Sequence, residues 1–411
     1  MAPTRVLVVG GGIGGLATAL ALHRVGIPAR VFEGVAELRP LGVGINLLPH
    51  SVRVLADLGL LSGLTSVGIE TSALSYYNKF GQQIWSEPRG VLAGYHLPQI
   101  SIHRGELQML LLRAVLDRLG PRAVTAGHRL VRADLAGRKV RATFAGQAQP
   151  EEADVLIGAD GIHSVVRRQF YPDEGPPRYS GRLLWRAVTE SAPYLDGRTM
   201  IMAGHQNQKF VCYPISRSHF EAGRSLVNWI AELTEPGQTP PRQDWSREVP
   251  AERFAAPFAG WRFGWLDVPD LIARAEAIYE YPMVDRDPLP TWSFGGITLL
   301  GDAENGGVYW AFVSTVRSDD ELYSVGMHIL GFRDVIIPST GNDEYDYRSL
   351  HSFLGFTAFS GATIRDGDMV GDPVLPTYRA HMQPEDRFSA DTPMFNRYGR
   401  WRLVPIDGQR N

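Results

Sequence analysis

Three short stretches place groups able to hold a ligand directly behind apolar runs. The first is Gly10-Gly11-Gly12-Ile13-Gly14-Gly15, which follows Val6-Leu7-Val8-Val9. With 44 glycines in 411 residues, the spacing alone has little weight, and an ordinary glycine-rich turn would read the same. Its context, behind a strand-like run and ahead of a helical one, supplies the weight. Gly10 permits a tight turn, Gly12 lets the backbone approach a pyrophosphate, and Gly15 lets helix and strand pack closely. Free amides at the helix start favour a phosphate. Glu33 ends the next apolar run, 18 residues after Gly15. A carboxylate there accepts from ribose hydroxyls and favours a free ribose over a 2′-phosphate. The pattern points to an ADP-containing cofactor held by Gly10, Gly12, Gly14, Gly15 and Glu33.

The second stretch is Asp154-Val155-Leu156-Ile157-Gly158-Ala159-Asp160-Gly161, followed by His163-Ser164 and Arg167-Arg168. The third, Leu299-Leu300-Gly301-Asp302-Ala303, repeats the design. A carboxylate behind a buried strand sits at the edge where α/β sheets bind ligands, although Asp-Gly is also common in plain turns. Asp302 is suited to accept a hydrogen bond from a polyol such as a flavin's ribityl chain.

These groups must be positioned by an α/β scaffold. The periodicities predict a strand at Val6–Val9, a helix over residues 14–25 ended by Gly26, and a strand at residues 29–33, a βαβ half of ordinary size. A helix is expected over residues 101–119, and buried strands at residues 153–157 and 296–302. Between about 180 and 285 the texture becomes sheet-rich, with strand-like runs at 183–188, 210–213 and 226–231 and many aromatics between them. Beyond 304 it changes again. Ser318 opens a capping-box pattern, and Leu322, Val325, Ile329 and Leu330 follow at helical spacing, with Gly331 as a stop. A strand is expected at 335–337, a helix over 343–356 and a strand at 400–405. The expected division is a Rossmann-like domain of 1–179 and 286–303, a sheet-rich substrate domain of 180–285, and an atypical small α+β unit of 304–411.

Composition removes several function classes. Cys212 is the only cysteine, so neither an intrachain disulfide nor a cysteine zinc site is expected. No metal site is expected from the other residues. The formal net charge is −3, from 41 basic and 44 acidic residues, without the basic excess of a nucleic-acid binder. Only Lys79, Lys139 and Lys209 are lysines, which makes a lysine-based mechanism improbable. Val6 to Leu22 carries no formally charged residue, but its five glycines argue against a membrane span. No stable membrane insertion is expected, and a cytoplasmic location is the default.

The three motifs, in this order and spacing, resemble the single-component FAD-dependent aromatic hydroxylases. Further stretches resemble the phenazine hydroxylase branch of that family: Arg39-Pro40-Leu41-Gly42-Val43-Gly44-Ile45-Asn46, Trp85-Ser86-Glu87-Pro88-Arg89-Gly90, Ser101-Ile102-His103-Arg104-Gly105-Glu106-Leu107-Gln108 and Tyr281-Pro282-Met283-Val284-Asp285-Arg286-Asp287-Pro288. The resemblance covers residues 4–303. It implies that Gly10, Gly12, Gly15 and Glu33 hold the ADP half of FAD, that Arg39 and Arg104 contact FAD, and that Asp302 binds the ribityl chain. Asp160 would serve both FAD and reduced nicotinamide. NAD(P)H would be a transient co-substrate, since no second glycine fingerprint is present. Dioxygen and a small aromatic compound, phenazine- or salicylate-like, would be the other reactants. The cofactor would carry the chemistry, so no catalytic acid–base triad is expected, and His103, His163 and His205 read as structural. Trp185, Tyr213 and Trp229 are candidates to line a flat aromatic pocket, with core packing as the equal alternative.

After Ala303 the resemblance stops. The family's proline-containing loop, which opens a helix beside the flavin, has no counterpart in Glu304-Asn305-Gly306-Gly307-Val308-Tyr309-Trp310. Two readings therefore stand: a working hydroxylase with an unusual C-terminal part, or a flavin-fold remnant fused to an interaction or structural module, with weak or uncoupled oxidase activity. A plain NAD-dependent dehydrogenase would leave the motifs at Asp160 and Asp302 unexplained.

Overall fold

The computed structural model describes residues 5–40, 42–205, 207–235, 247–286 and 289–305, together with five short strands between residues 322 and 405. The chain divides into two compact units. One comprises Met1–Leu74, Pro88–Met202 and Phe210–Val308, the other Ser75–Glu87, Ala203–Lys209 and Tyr309–Asn411.

The first unit is built around a six-stranded sheet. Its strands run in the order Ser293–Phe294, Ile297–Leu299, Val155–Gly158, Val6–Val9, Ala29–Phe32 and Val124–Thr125. All neighbours pair in parallel except the first two, which form a hairpin. The strand Val6–Val9 is buried on both faces. Val6 and Val8 pack with Leu16, Leu20, Leu107, Leu111 and Val115, while Leu7 and Val9 pack with Phe32, Val140, Phe144 and Leu156. This two-residue alternation makes the sheet a middle layer. On one side lie the helices Ile13–Arg24 and Arg104–Leu119. On the other lies an antiparallel sheet of Leu130–Ala136, Lys139–Phe144 and Glu151–Ala153.

One boundary differs from the sequence reading. Residues 100–103 are a strand, antiparallel to Gly44–Leu47, and the helix begins only at Arg104. His103 is its N-cap, and its Nδ1 accepts from the Gly105 amide at 3.2 Å. The apolar pairings of Ile100 and Ile102 outweigh the helical spacing of the residues that follow.

A further sheet sets Tyr279–Asp285, Arg178–Ser191 and Ser225–Thr234 side by side as antiparallel neighbours, with residues 210–214 of the strand Gln208–Pro214 next in order. In the register of its central pair, Trp185 is opposite Ala231, Ala187 opposite Trp229, and Thr189 opposite Val227. Residues so paired share one face. An aromatic core of Phe254, Phe258, Trp261 and Phe210 packs on that face, with Trp185 stacked on Phe254 at 4.6 Å. Arg186 and Asn228 therefore lie on the opposite face.

In the second unit, Leu322–Ile329 is a strand, not the helix its apolar spacing predicts. It pairs antiparallel with Phe332–Pro338 and with Arg402–Pro405. Gly326 in mid-run costs a helix about 1 kcal/mol, and the β-branched Val335-Ile336-Ile337 supplies a pairing partner for Tyr323–Val325. The strand expected at 335–337 falls within Phe332–Pro338, and the one expected at 400–405 overlaps Arg402–Pro405, with residues 400 and 401 outside the described residues. The Ser318 capping box and the helix expected at 343–356 lie outside the described residues.

Candidate functional site

The parallel strands bring the three motifs into one row. Ile297–Leu299, Val155–Gly158, Val6–Val9 and Ala29–Phe32 are consecutive neighbours. Their carboxyl ends therefore present, in order, Asp302, Asp160, the glycine turn and Glu33. The ladder continues into the motifs themselves, with Ala159 N–H donating to the Val9 carbonyl at 2.8 Å and Gly10 N–H to the Phe32 carbonyl at 2.8 Å.

The glycine turn is closed on two sides and open on a third. A Cβ at Gly10, whose φ is +113°, would lie 2.1 Å from the Ala159 carbonyl oxygen, and one at Gly15 would lie 1.9 Å from the Gly10 carbonyl oxygen. These glycines are required by the fold. At Gly12 a Cβ would meet no atom within 4 Å, and at Gly14 it would meet only Leu300, at 3.8 Å. The helix Ile13–Arg24 starts there with no side-chain cap and no acid in its first turn. Open space over free helix amides suits a pyrophosphate, so the residues present fit FAD. Glu33 Oε2 accepts from Gly11 N–H at 2.6 Å and Oε1 from Val35 N–H at 2.9 Å. Each oxygen keeps a further lone pair for ribose hydroxyls.

Asp160 braces the next turn. Its carboxylate accepts from Ser164 Oγ at 2.5 Å and from Val165 N–H at 2.7 Å, at the start of the helix Val165–Phe170. Burial pushes its carboxyl above the usual range, against the opposing effect of these donors. On the same helix the fully buried Arg167 pairs with Glu174 and donates to the Ala303 carbonyl at 3.3 Å, which ties this helix to the third motif. Asp302 opens the short helix Asp302–Asn305. Burial raises its carboxyl, and the charge of Arg104 acts the other way. Arg104 is exposed. Desolvation by the surrounding protein lowers its guanidinium pKa, Asp302 opposes the shift, and Arg186 adds to it. Arg39 stands apart, exposed and paired with Glu37 at 2.6 Å. Among the described residues, no group of three His, Cys, Asp or Glu side chains could hold a metal ion. None of their helices is long and apolar enough to cross a membrane.

The second sheet meets the cofactor layers at Gly44. Asn228 Oδ1 accepts from Gly44 N–H at 2.6 Å, and Arg186 Nη2 donates to the Gly44 carbonyl at 3.3 Å. A Cβ at Gly44 would lie 2.7 Å from Asn228 Cβ and 2.8 Å from Tyr213 Cε2, so only glycine allows this approach. Tyr213 is buried and hydrogen-bonded to Arg186, and burial pushes its hydroxyl up to about 12. Arg186 also lies 5.8 Å from the centroid of the Tyr281 ring. Of the three aromatic candidates, Tyr213 alone stands beside Gly44. Trp185 and Trp229 are fully buried on the other face, their indole N–H groups donating to Glu280 and Thr189, each at 3.0 Å.

Three side chains escaped the sequence reading. Gln108 Nε2 donates to the Gly11 carbonyl at 2.8 Å, steadying the glycine turn. Its spacing of four from Arg104, one helical turn, was the available signal. Arg186 and Asn228 are polar interruptions of apolar strand runs, a class of residue depleted in strands unless it has a partner to meet.

Residues 3–256 match the family model described as FAD binding domain. The chain is 45% identical over 308 residues to the phenazine 1,6-dicarboxylic acid hydroxylase PhzS of Lysobacter antibioticus, covering 73% of this chain and 76% of that protein. It is 33% identical over 306 residues to the 3-amino-4-hydroxybenzoate 2-monooxygenase PtnB3 of Streptomyces platensis, covering 73% and 72%. A crystal structure of a Klebsiella pneumoniae HpxO variant complexed with FAD superposes with a TM-score of 0.60 at 25% identity, over 73% of this chain and 74% of that one. By its cofactor row and these likenesses, the chain belongs to the FAD-binding-domain family, among the single-component FAD-dependent aromatic hydroxylases.

Proposed function

We propose that the protein hydroxylates a phenazine- or salicylate-like aromatic acid, with NAD(P)H and dioxygen as co-substrates. The observation that carries this reading is the row of strand ends, Asp302, Asp160, the open Gly12 turn and Glu33, beside the sheet face that holds Arg186 and Tyr213. When bound, FAD supplies the redox chemistry by which NAD(P)H and dioxygen hydroxylate an electron-rich ring, one oxygen entering the ring and the other leaving as water.

The chain's own residues bind and orient. The amides behind Gly12 and Gly14 take the pyrophosphate, and Glu33 takes the adenosine ribose. Asp302 accepts from the ribityl hydroxyls, with Arg104 as its charge partner and Arg39 as a further contact. Asp160 holds the middle turn and helix beside the site of reduced nicotinamide. Tyr213 borders the substrate, and Trp185 and Trp229 back the sheet that carries it. The cytoplasm is the proposed location, and the division at residues 179, 285 and 303 is the proposed domain plan.

The test is turnover of purified, FAD-loaded protein with NADH or NADPH and phenazine-1-carboxylate. Expected are substrate-stimulated nicotinamide oxidation and a product heavier by one oxygen atom. If nicotinamide oxidation ignores every aromatic acid tried, the proposal is wrong. The likenesses cover 73% of the chain, which favours a second reading, uncoupled oxidase activity. Hydrogen peroxide in excess of hydroxylated product, measured against nicotinamide consumed, would establish it.

A further inference from the structure

We infer that Arg186 anchors a carboxylate of the substrate, with Tyr213 and Asn228 shaping the anchor, and so sets the preference for an anionic aromatic acid. The inference rests on the aromatic hydroxylase reading and names the group that its substrate must carry.

Charge is the first argument. Arg186 forms no ion pair with a carboxylate among the described residues, and its buried Nε has no hydrogen-bond partner among them. Its neighbours are the Gly44 carbonyl, the Tyr213 hydroxyl and the Tyr281 ring, all formally neutral. The nearby exposed Arg104 adds a second positive charge, and among the described residues Asp302 is the carboxylate that acts on it. Two guanidiniums against one carboxylate leave a positive excess around Arg186. Buried charges are normally paired, and guanidinium is matched to carboxylate by its two-pronged geometry.

Placement is the second argument. The sheet register sets Val188 opposite Asn228 and Arg186 opposite Ile230, so Arg186 and Asn228 are diagonal neighbours on one face. They grip the two polar groups of Gly44 between them. Because Asn228 Oδ1 must accept from the Gly44 amide, its Nδ2 is fixed as the free end. That buried donor also has no partner among the described residues. Two unpartnered buried donors beside one glycine, next to a cofactor crevice, form a site lacking an acceptor. A buried donor left unmade is costly, and a bound carboxylate removes that cost.

The test is ligand binding to the FAD-loaded protein without nicotinamide, followed by perturbation of the flavin absorption spectrum. The probes are phenazine-1-carboxylate and its isosteric neutral carboxamide. In the natural protein the carboxylate should bind more tightly. Arg186→Met should weaken the carboxylate about 30-fold, or ~2 kcal/mol, and change the carboxamide by less than about threefold. Asn228→Asp keeps the acceptor for Gly44 and gives Arg186 an internal carboxylate. It should weaken the carboxylate about tenfold with the carboxamide again little changed, a readout that survives if Arg186→Met fails to fold. Equal loss of both probes, or loss of neither, overturns the inference. So does a natural protein that oxidises NADH with the carboxamide as well as with the carboxylate, which leaves the hydroxylase reading intact. If the natural protein binds neither probe and neither stimulates NADH oxidation, both readings fall.

Discussion

Gly12 and Gly15 have the same residue type and opposite reasons for it. Gly15→Ala forces a Cβ to within 1.9 Å of a carbonyl oxygen, and the backbone must move. The expected loss is about 1–3 kcal/mol of stability even without FAD, as for other overpacked sites. Gly12→Ala adds a Cβ that touches no protein atom. Stability without FAD should change by less than about 0.5 kcal/mol, while FAD affinity falls because the added methyl stands in the pyrophosphate space. Denaturant unfolding and FAD titration of both variants measure the contrast. Glu174 gives a pH-dependent case. Burial pushes its carboxyl up, but hydrogen bonds and charge from Arg167 and Arg286 more than offset this, so its pKa is depressed below the ordinary 4.5. Its contribution to stability is thus present above pH 4.5 and is lost as pH falls through the folded-state value. Glu174→Gln leaves the fully buried Arg167 without its carboxylate and should cost about 3 kcal/mol at neutral pH. The difference between the two proteins should shrink on acidification, which unfolding curves at several pH values will show.

Elements carry the consequences of these residues. The antiparallel sheet has one face devoted to an aromatic core and one devoted to Gly44 and the cofactor layers. Trp185→Phe and Trp229→Phe each remove a buried hydrogen bond. Each should cost about 1–3 kcal/mol and leave KM for the aromatic acid within about twofold. A large KM change with stability intact would move the tryptophans into the substrate site. The helix Val165–Phe170 depends on Asp160 in the same manner. Asp160→Ala should lower stability by about 1 kcal/mol, the usual net cost of a lost hydrogen bond, because the N-cap Ser164 and the Val165 amide lose their acceptor. Any effect on nicotinamide oxidation beyond that of an equally destabilised variant then belongs to the carboxylate's contact with the reactants.

For the whole molecule, the cofactor is expected to be a stabilising ligand. The first unit contains the entire cofactor row. FAD at a hundred times its dissociation constant should stabilise that unit by about 2.7 kcal/mol. The unfolding transition reported by flavin fluorescence should therefore move to higher denaturant as FAD is added. No movement, with flavin demonstrably bound, would mean that FAD binds the unfolded chain equally well.

The motifs at Gly10, Asp160 and Asp302 were legible because their chemistry is local. An apolar run followed by glycine or aspartate is a strand and its turn, whatever surrounds it. The strand Val6–Val9, the helix after it and Glu33 follow from periodicity and turn residues alone. The helix starts at Arg104 rather than at residue 101 because Ile100 and Ile102 take their conformation from a partner strand more than fifty residues earlier. The strand Leu322–Ile329, too, is set by pairing rather than by its own spacing, with one partner next to it in the chain and the other some eighty residues on. Strand order could not be read either, since parallel neighbours are joined through intervening chain of any length. Only the tertiary structure set Asp302, Asp160 and Gly10 side by side, turned Trp185 away from Arg186, and left Arg186 without an acid among the described residues. A side chain's face and its partners are long-range properties, settled by register and burial, whereas its own local conformation is written in its near neighbours.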